Sequence, residues 1–305
     1  MRITDLLDTR HPFPSLEIVP PMGGMTQDEL LERIAPLMEF RPRFINVTTH
    51  RDEIQFVPKE DGRFERRIVR SRVSPVAVCA SIRGRYDVEV VPHLICAGNT
   101  AAEIEWLVQD FRFLGIDNLM ALRGDSLAGE KRFAPVPGGY AHADELVRGI
   151  RRMDGGGRFC IGVGGYPEKH FEAANPETDI AFLKQKVDAG AECIFTQMFF
   201  DNAVFYRFRD RCRAAGITVP VIPGLKPLTT ARQVQLLPET FSIDIPLALT
   251  EAVREAEADP EAVRQVGTQW CTDQCRDLLQ HGVPAVHFYT MGKSASVVEV
   301  LRNCF

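Results

Sequence analysis

The stretch FCIGVGGYPEKHFEAANPETDIAFLKQKVDAGAECIFTQ, residues 159–197, contains one complete round of the pattern that builds this chain. It opens on a short apolar run, 159–164, and passes through a polar segment punctuated by Pro167 and Pro176. Ile180, Leu183 and Val187 then recur at helical spacing across 177–189, and Gly190 supplies a terminator before a second apolar run, 193–197. Strands apolar along nearly their whole length are buried on both faces, the property of a parallel sheet covered by helices.

Reading outward in both directions, the same short run recurs. Eight are present: 16–19, 44–48, 90–96, 118–122, 159–164, 193–197, 219–223 and 285–289. Between the third and fourth, Ala101, Ile104, Leu107, Val108 and Phe111 form one helical face, opened by Asn99-Thr100 and closed before Gly115. Strand and helix repeated eight times predict the α/β class and a (β/α)8 TIM barrel more than an open doubly wound sheet. The segment 225–282 exceeds a normal crossover and is expected to hold extra helices in the C-terminal half, Pro260–Gln280 the clearest. One barrel domain over 1–305 is the resulting expectation.

Composition limits the function classes. An apolar fraction of 45% and a charged fraction of 25% are ordinary for globular domains and argue against disorder. The first residues lack the apolar centre of a signal peptide, and no run approaches the roughly 18 apolar residues of a membrane span, so a cytoplasmic protein away from membranes is expected. The net charge of -5 argues against a nucleic-acid partner, and the cluster Arg63, Arg66, Arg67, Arg70 and Arg72 reads as a solvated helix or loop face. Cys79, Cys96, Cys160 and Cys193 lie in apolar stretches and read as free thiols. No metal site is expected, because neither His93 with Cys96 nor Cys271 with Cys275 joins further ligands at zinc-like spacing.

In barrels of this kind the carboxyl ends of the strands converge on one mouth. The polar residues at or just beyond those ends are Glu17, Thr48, His93, Arg123, Asp125, Tyr166, His170 and Gln197. Glu17 sits inside an apolar run and is followed by Pro20-Pro21. A carboxylate so placed is either ion-paired, with an arginine of the barrel floor, or pushed toward holding its proton, as a general acid must. Leu122-Arg123-Gly124-Asp125 reads as a turn that lets backbone approach a planar or phosphorylated ligand, or as a loop salt bridge. His93 reads as a cofactor contact or as a core histidine. Asp179 and Lys186, seven apart on one helix, could meet a ribose and a phosphate or form a solvated face. A Gly-x-Gly-x-x-Gly turn after a strand is missing: Gly155-Gly156-Gly157 precedes its strand and reads as a turn.

With these motifs in order, the chain resembles the methylenetetrahydrofolate reductase family over nearly its whole length. The matching stretches are Leu16-Glu17-Ile18-Val19-Pro20-Pro21, Asn46-Val47-Thr48, Pro92-His93-Leu94 and Ala121-Leu122-Arg123-Gly124-Asp125. They continue with Tyr166-Pro167-Glu168-Lys169-His170, the residues 183–191, Thr196-Gln197-Met198-Phe199-Phe200-Asp201, Ile222-Pro223-Gly224 and His287-Phe288-Tyr289-Thr290.

The resemblance implies FAD across the carboxyl face of the barrel, held without a Rossmann turn. It places Thr48, His93, Arg123, Gly124, Asp125, Ala143, Tyr166, His170, Ala173, Asp179 and Lys186 around FAD, with Gln197, Gln233, Leu237 and Lys293 toward the substrates. It implies two half-reactions on one flavin: NADH or NADPH delivers hydride, then 5,10-methylenetetrahydrofolate is reduced to 5-methyltetrahydrofolate, the methyl source for methionine synthesis. Glu17 is then the expected proton donor for opening the folate ring, and Asp125 the charge that favours cationic species. Homo-oligomers are implied as well. A relative that reduces folate only with a partner electron carrier in a larger complex is the alternative. The chain departs from the family at Ile18-Val19 and Leu237, where aromatics are usual, at Thr49-His50 for tyrosine-glycine, and at His142 for tyrosine.

Overall fold

The computed structural model describes residues 1–125, 133–292 and 294–305, with 53 and 54 described by their backbone alone. Eight of its strands close into a parallel barrel: β1 (Phe13–Ile18), β2 (Phe44–Val47), β5 (Glu89–Ile95), β6 (Asn118–Leu122), β7 (Cys160–Gly165), β8 (Cys193–Met198), β9 (Val221–Leu225) and β10 (Ala285–Tyr289). Each neighbours the next in chain order, and β1 closes the ring against β10, with Glu17 opposite Tyr289. All eight runs read from the sequence are strands. β1 starts earlier than its apolar run because Ser15, polar in sequence, points into the barrel and meets His287 at 2.9 Å.

The two remaining strands, β3 (Glu53–Pro58) and β4 (Phe64–Val69), form an antiparallel hairpin outside the barrel. This corrects the reading of the arginine cluster as a helix or loop face. Arg66 and Arg67 lie on β4, where successive side chains alternate between the two faces of a two-stranded sheet. The turn is closed by Lys59 N–H to the Arg63 carbonyl at 2.8 Å, with Gly62 at φ +79°.

The helices form for local reasons. Thr26 and Thr100 each open one with a reciprocal cap, pairing with Glu29 and Glu103 three residues on. Asn175 caps Pro176–Asp188, whose Ile180 and Leu183 face the sheet. The long connection after β9 holds Gln233–Phe241, Leu247–Glu255 and Pro260–Gln280, the extra helices expected there. No helix among the described residues is long and apolar enough to cross a membrane.

The barrel interior is layered. Phe13, Phe44, Val91, Met120, Cys160, Cys193, Ile222 and Ala285, one from each strand, pack with Phe195 as an apolar floor, plugged from below by Ile3 and Leu6. Phe44 meets Phe13 and Phe195 edge-on, each with centroids 5.8 Å apart, contacts each contributing about 1 kcal/mol beyond area burial. Because strand side chains alternate with period two, residues two and four positions above that floor also point inward. That periodicity carries polar groups to the mouth.

Candidate active site

Two positions above the floor, the interior turns polar on one side: Ser15, Asn46, His93 and His287 are all buried. Asn46 Nδ2 lies 3.3 Å from His93 Nε2, and Ser15 Oγ lies 2.9 Å from His287 Nδ1. Burial holds both imidazoles down to about 3, so each is neutral at physiological pH. Asn46 Oδ1 and His287 Nε2 have no hydrogen-bond partner among the described residues.

One layer higher is Glu17. Its side chain is 17% exposed, and burial raises its carboxyl from 4.5 to about 8. Of the two readings left open by the sequence, the ion pair with a floor arginine is not formed among the described residues; the neighbouring base is His93, at 3.7 Å. That separation exceeds a hydrogen bond, and a neutral imidazole offers no compensating charge, so the carboxyl keeps its proton at neutral pH. The Glu17 backbone is fixed as well, its carbonyl accepting from Thr290 Oγ1 at 2.8 Å and Thr290 N at 3.3 Å. Tyr289, inward-facing beside it, donates to the Thr196 carbonyl at 2.6 Å.

The loops after β6 and β7 assemble a second group. Gly124 has φ +80°, and a Cβ there would fall 2.8 Å from Ala97 Cβ, so this position demands glycine twice over. The Arg123 guanidinium pairs with Glu172, not with Asp125, and lies 5.1 Å over the Phe133 ring. Asp125 is exposed at the mouth. Tyr166 and His170 meet edge-on at 4.7 Å. Lys186 Nζ donates to the Gly164 carbonyl at 2.9 Å, and Asp179 Oδ2 accepts from His170 N–H at 3.2 Å. The solvated-face reading of Asp179 and Lys186 therefore fails: burial raises the Asp179 carboxyl and lowers the Lys186 ammonium to about 8. Ala143 begins a ten-residue helix and Ala173 is buried beside the His170 loop, its N–H donating to the His170 carbonyl at 3.0 Å.

The residues read toward the substrates are more dispersed. Thr48, read toward FAD, follows β2, within 3.1 Å of His50 Nε2. Gln197, on β8, accepts from the Met198 N–H at 2.9 Å, and Gln233 opens its helix while accepting from Thr229 N–H at 2.7 Å. Leu237 is 2% exposed inside a cluster with Met198, Phe200, Leu228 and Ile243, so it presents no surface to a ligand unless its helix shifts. Lys293 lies outside the described residues.

Sequence reasoning gave no role in the site to Ser15, nor to Asn46, His287 and Tyr289, which it quoted only within matching stretches; their partners are distant in the chain and become neighbours only through barrel register. It also passed over Lys226, buried just beyond β9, with Nζ 3.3 Å from the Pro227 carbonyl. A lysine in Leu225-Lys226-Pro227 at a strand end was the available signal. Glu168, quoted within a matching stretch, was likewise given no role: burial lifts its carboxyl to about 7, with Asp244 and Asp201 nearby.

A family model described as methylenetetrahydrofolate reductase matches residues 2–304. Methylenetetrahydrofolate reductase (NADH) 1 of Arabidopsis thaliana is 34% identical over 95% of this chain, which spans 48% of that relative's length. The 5,10-methylenetetrahydrofolate reductase of Escherichia coli is 31% identical over 92% of this chain and 86% of its own. Among solved structures, a Clostridium thermocellum protein described as binding two copies of 5-methyl-5,6,7,8-tetrahydrofolic acid superposes with a TM-score of 0.65, covering 97% of this chain and 95% of that one, at 11% identity. That last likeness bears on the fold alone.

Proposed function

The chain belongs to the methylenetetrahydrofolate reductase family, and from that premise we propose that it reduces 5,10-methylenetetrahydrofolate to 5-methyltetrahydrofolate, with NADH or NADPH as donor and FAD at the barrel mouth. The chain spans about half the length of the Arabidopsis relative, so the proposal concerns what this barrel does by itself. The observation that carries it is Glu17, a carboxyl held protonated at neutral pH at the carboxyl end of β1. A general acid with a pKa near the working pH is what cleavage of the folate carbon–nitrogen bond needs.

The residues after β6 and β7 suit a flavin dinucleotide. Arg123, the half-buried Lys186 and the N-terminal end of the helix at Ala143 offer positive charge and N–H donors for a diphosphate, while Gly124 lets backbone approach closely. Glu172 is exposed, and its carboxylate can leave Arg123 when a phosphate arrives. Thr48, His93, Tyr166, His170, Ala173 and Asp179 would complete the holding set. When bound, FAD supplies two-electron hydride chemistry, accepting from the nicotinamide and giving to the one-carbon unit of folate.

Within that arrangement Glu17 delivers a proton to the folate nitrogen that releases the one-carbon unit. His93, neutral beneath it, leaves that proton on Glu17. Asp125, exposed at the mouth, favours the cationic iminium formed as the ring opens. Gln197 and Gln233 would orient substrate amide and ring edges by hydrogen bonds. The test is direct: purified protein is expected to carry flavin and to oxidise NADH or NADPH when methylenetetrahydrofolate or menadione is supplied. Protein that takes up no flavin and turns over neither donor would remove this reading.

A further inference from the structure

Beside the mouth, and outside every residue assigned above, lies a cleft of about 470 Å³ between the hairpin and the barrel. It opens next to the catalytic end of the strands. Pro20, three residues beyond Glu17, and Thr49, next to Thr48, are on its wall, as are Ala97 and Asn99 of the loop after β5. Arg66 and Ile68 of β4 and the following Arg70 and Arg72 form the opposite wall, with Arg51 between.

The charge pattern is selective. Away from the cleft the arginines are matched: Arg67 with Glu65 at 3.0 Å and Arg63 with Asp61 at 3.3 Å. At the cleft, Arg70 pairs with Asp52 at 3.1 Å and Arg72 donates to the Pro20 carbonyl at 2.9 Å. Arg51 and Arg66, which both line the cleft, have no ion pair among the described residues. Arg51 is held across Gly98, where a Cβ would come within 3.7 Å of it. Among the described residues, the carboxylates lining the cleft are Asp52, already paired, and Glu103, engaged at 2.8 Å by the Thr100 cap. Ser74 and Asn99 also bring two helix N-terminal ends to the wall, those of Pro75–Arg85 and Ala101–Phe113. Ile68, Leu107 and Val136 add apolar surface.

We propose that this cleft is an anion subsite for the tail of a substrate that reacts at the mouth, with Arg51 and Arg66 as its binding residues. The ligand chemistry is a phosphate or carboxylate group joined through a spacer to a reacting ring. In this protein two substrates carry one: the nicotinamide donor through its phosphates, and the folate through its glutamate tail. The assignment of those substrates rests on the function proposed above; the anion-binding chemistry does not.

The experiment uses the flavin-loaded protein and the double variant Arg51→Gln/Arg66→Gln, with Arg51→Lys/Arg66→Lys as the charge-retaining control. Binding of inorganic pyrophosphate is measured first by calorimetry, independently of turnover. The wild type is expected to bind it, the glutamine variant about tenfold more weakly, the lysine variant in between, and all three less tightly at high salt. Equal binding by wild type and glutamine variant overturns the proposal whether or not the protein reduces folate. Steady-state kinetics then identify the source. A KM raised about tenfold for NADPH or NADH at unchanged kcat assigns the donor; the same rise for triglutamyl but not monoglutamyl methylenetetrahydrofolate assigns the tail. No change in any of the four KM values overturns the subsite. A wild type that binds pyrophosphate through these arginines yet turns over neither donor would instead sink the proposed reaction.

Discussion

Glu17 carries its chemistry because of what is absent around it. A carboxylate next to an arginine would be held ionised; this one meets no arginine or lysine ion pair among the described residues, only a neutral His93 at 3.7 Å, and burial moves it to about 8. The direction gives a kinetic prediction. Folate reduction requires the protonated acid, so its rate should fall as pH rises through about 8, while hydride transfer from the nicotinamide to flavin should lack that limb. Rapid-mixing measurements of each half-reaction between pH 6 and pH 9 check this. A folate limb that stays level to the alkaline end would mean another group gives the proton. At this scale the sequence was informative about Glu17, a lone acid in an apolar run ending in Pro20-Pro21. It was silent on Ser15 with His287, 272 residues apart, because nothing local marks two residues that meet only through strand register.

Among the elements, the eight barrel strands were legible because burial on both faces leaves an uninterrupted apolar signature. The hairpin was not, because its face alternates phenylalanine and isoleucine with arginine in the open, and the arginines dominated the reading. Phe56, Phe64 and Ile68 are each more than 60% exposed, so no apolar face was being buried to produce a recognisable pattern. Asp61-Gly62 between 53–58 and 64–69 was the local turn signal that could have found it. The helix Pro260–Gln280 makes its own prediction. Gly267 lies where a Cβ would fall 2.1 Å from the Leu228 carbonyl, so the helix rests on the loop after β9 through this residue. Gly267→Ala should lower unfolding stability by roughly 1–3 kcal/mol in urea titration despite alanine's better helix propensity. A neutral or stabilising result would show that the helix can lift away freely.

The molecule as a whole inherits opposing pH trends from the mouth. His93 and His287, near 3 in the fold against 6.5 when unfolded, bind fewer protons natively, so their contribution to stability is lost as pH falls below about 6.5. Glu17, near 8 against 4.5, holds its proton natively while the unfolded chain releases it, so stability is lost as pH rises from about 4.5 through about 8. Melting temperatures of Glu17→Gln minus wild type should therefore become more positive across that interval and level off above it. A difference independent of pH would place Glu17 in water-like surroundings. The same residue joins fold to function, and anaerobic single-turnover kinetics of flavin-loaded Glu17→Gln test that connection most directly. The account predicts flavin reduction by NADH or NADPH within a few-fold of wild type, and folate reduction slowed by about 10²- to 10⁴-fold. Folate reduction at the wild-type rate, or equal loss in both half-reactions, would contradict it.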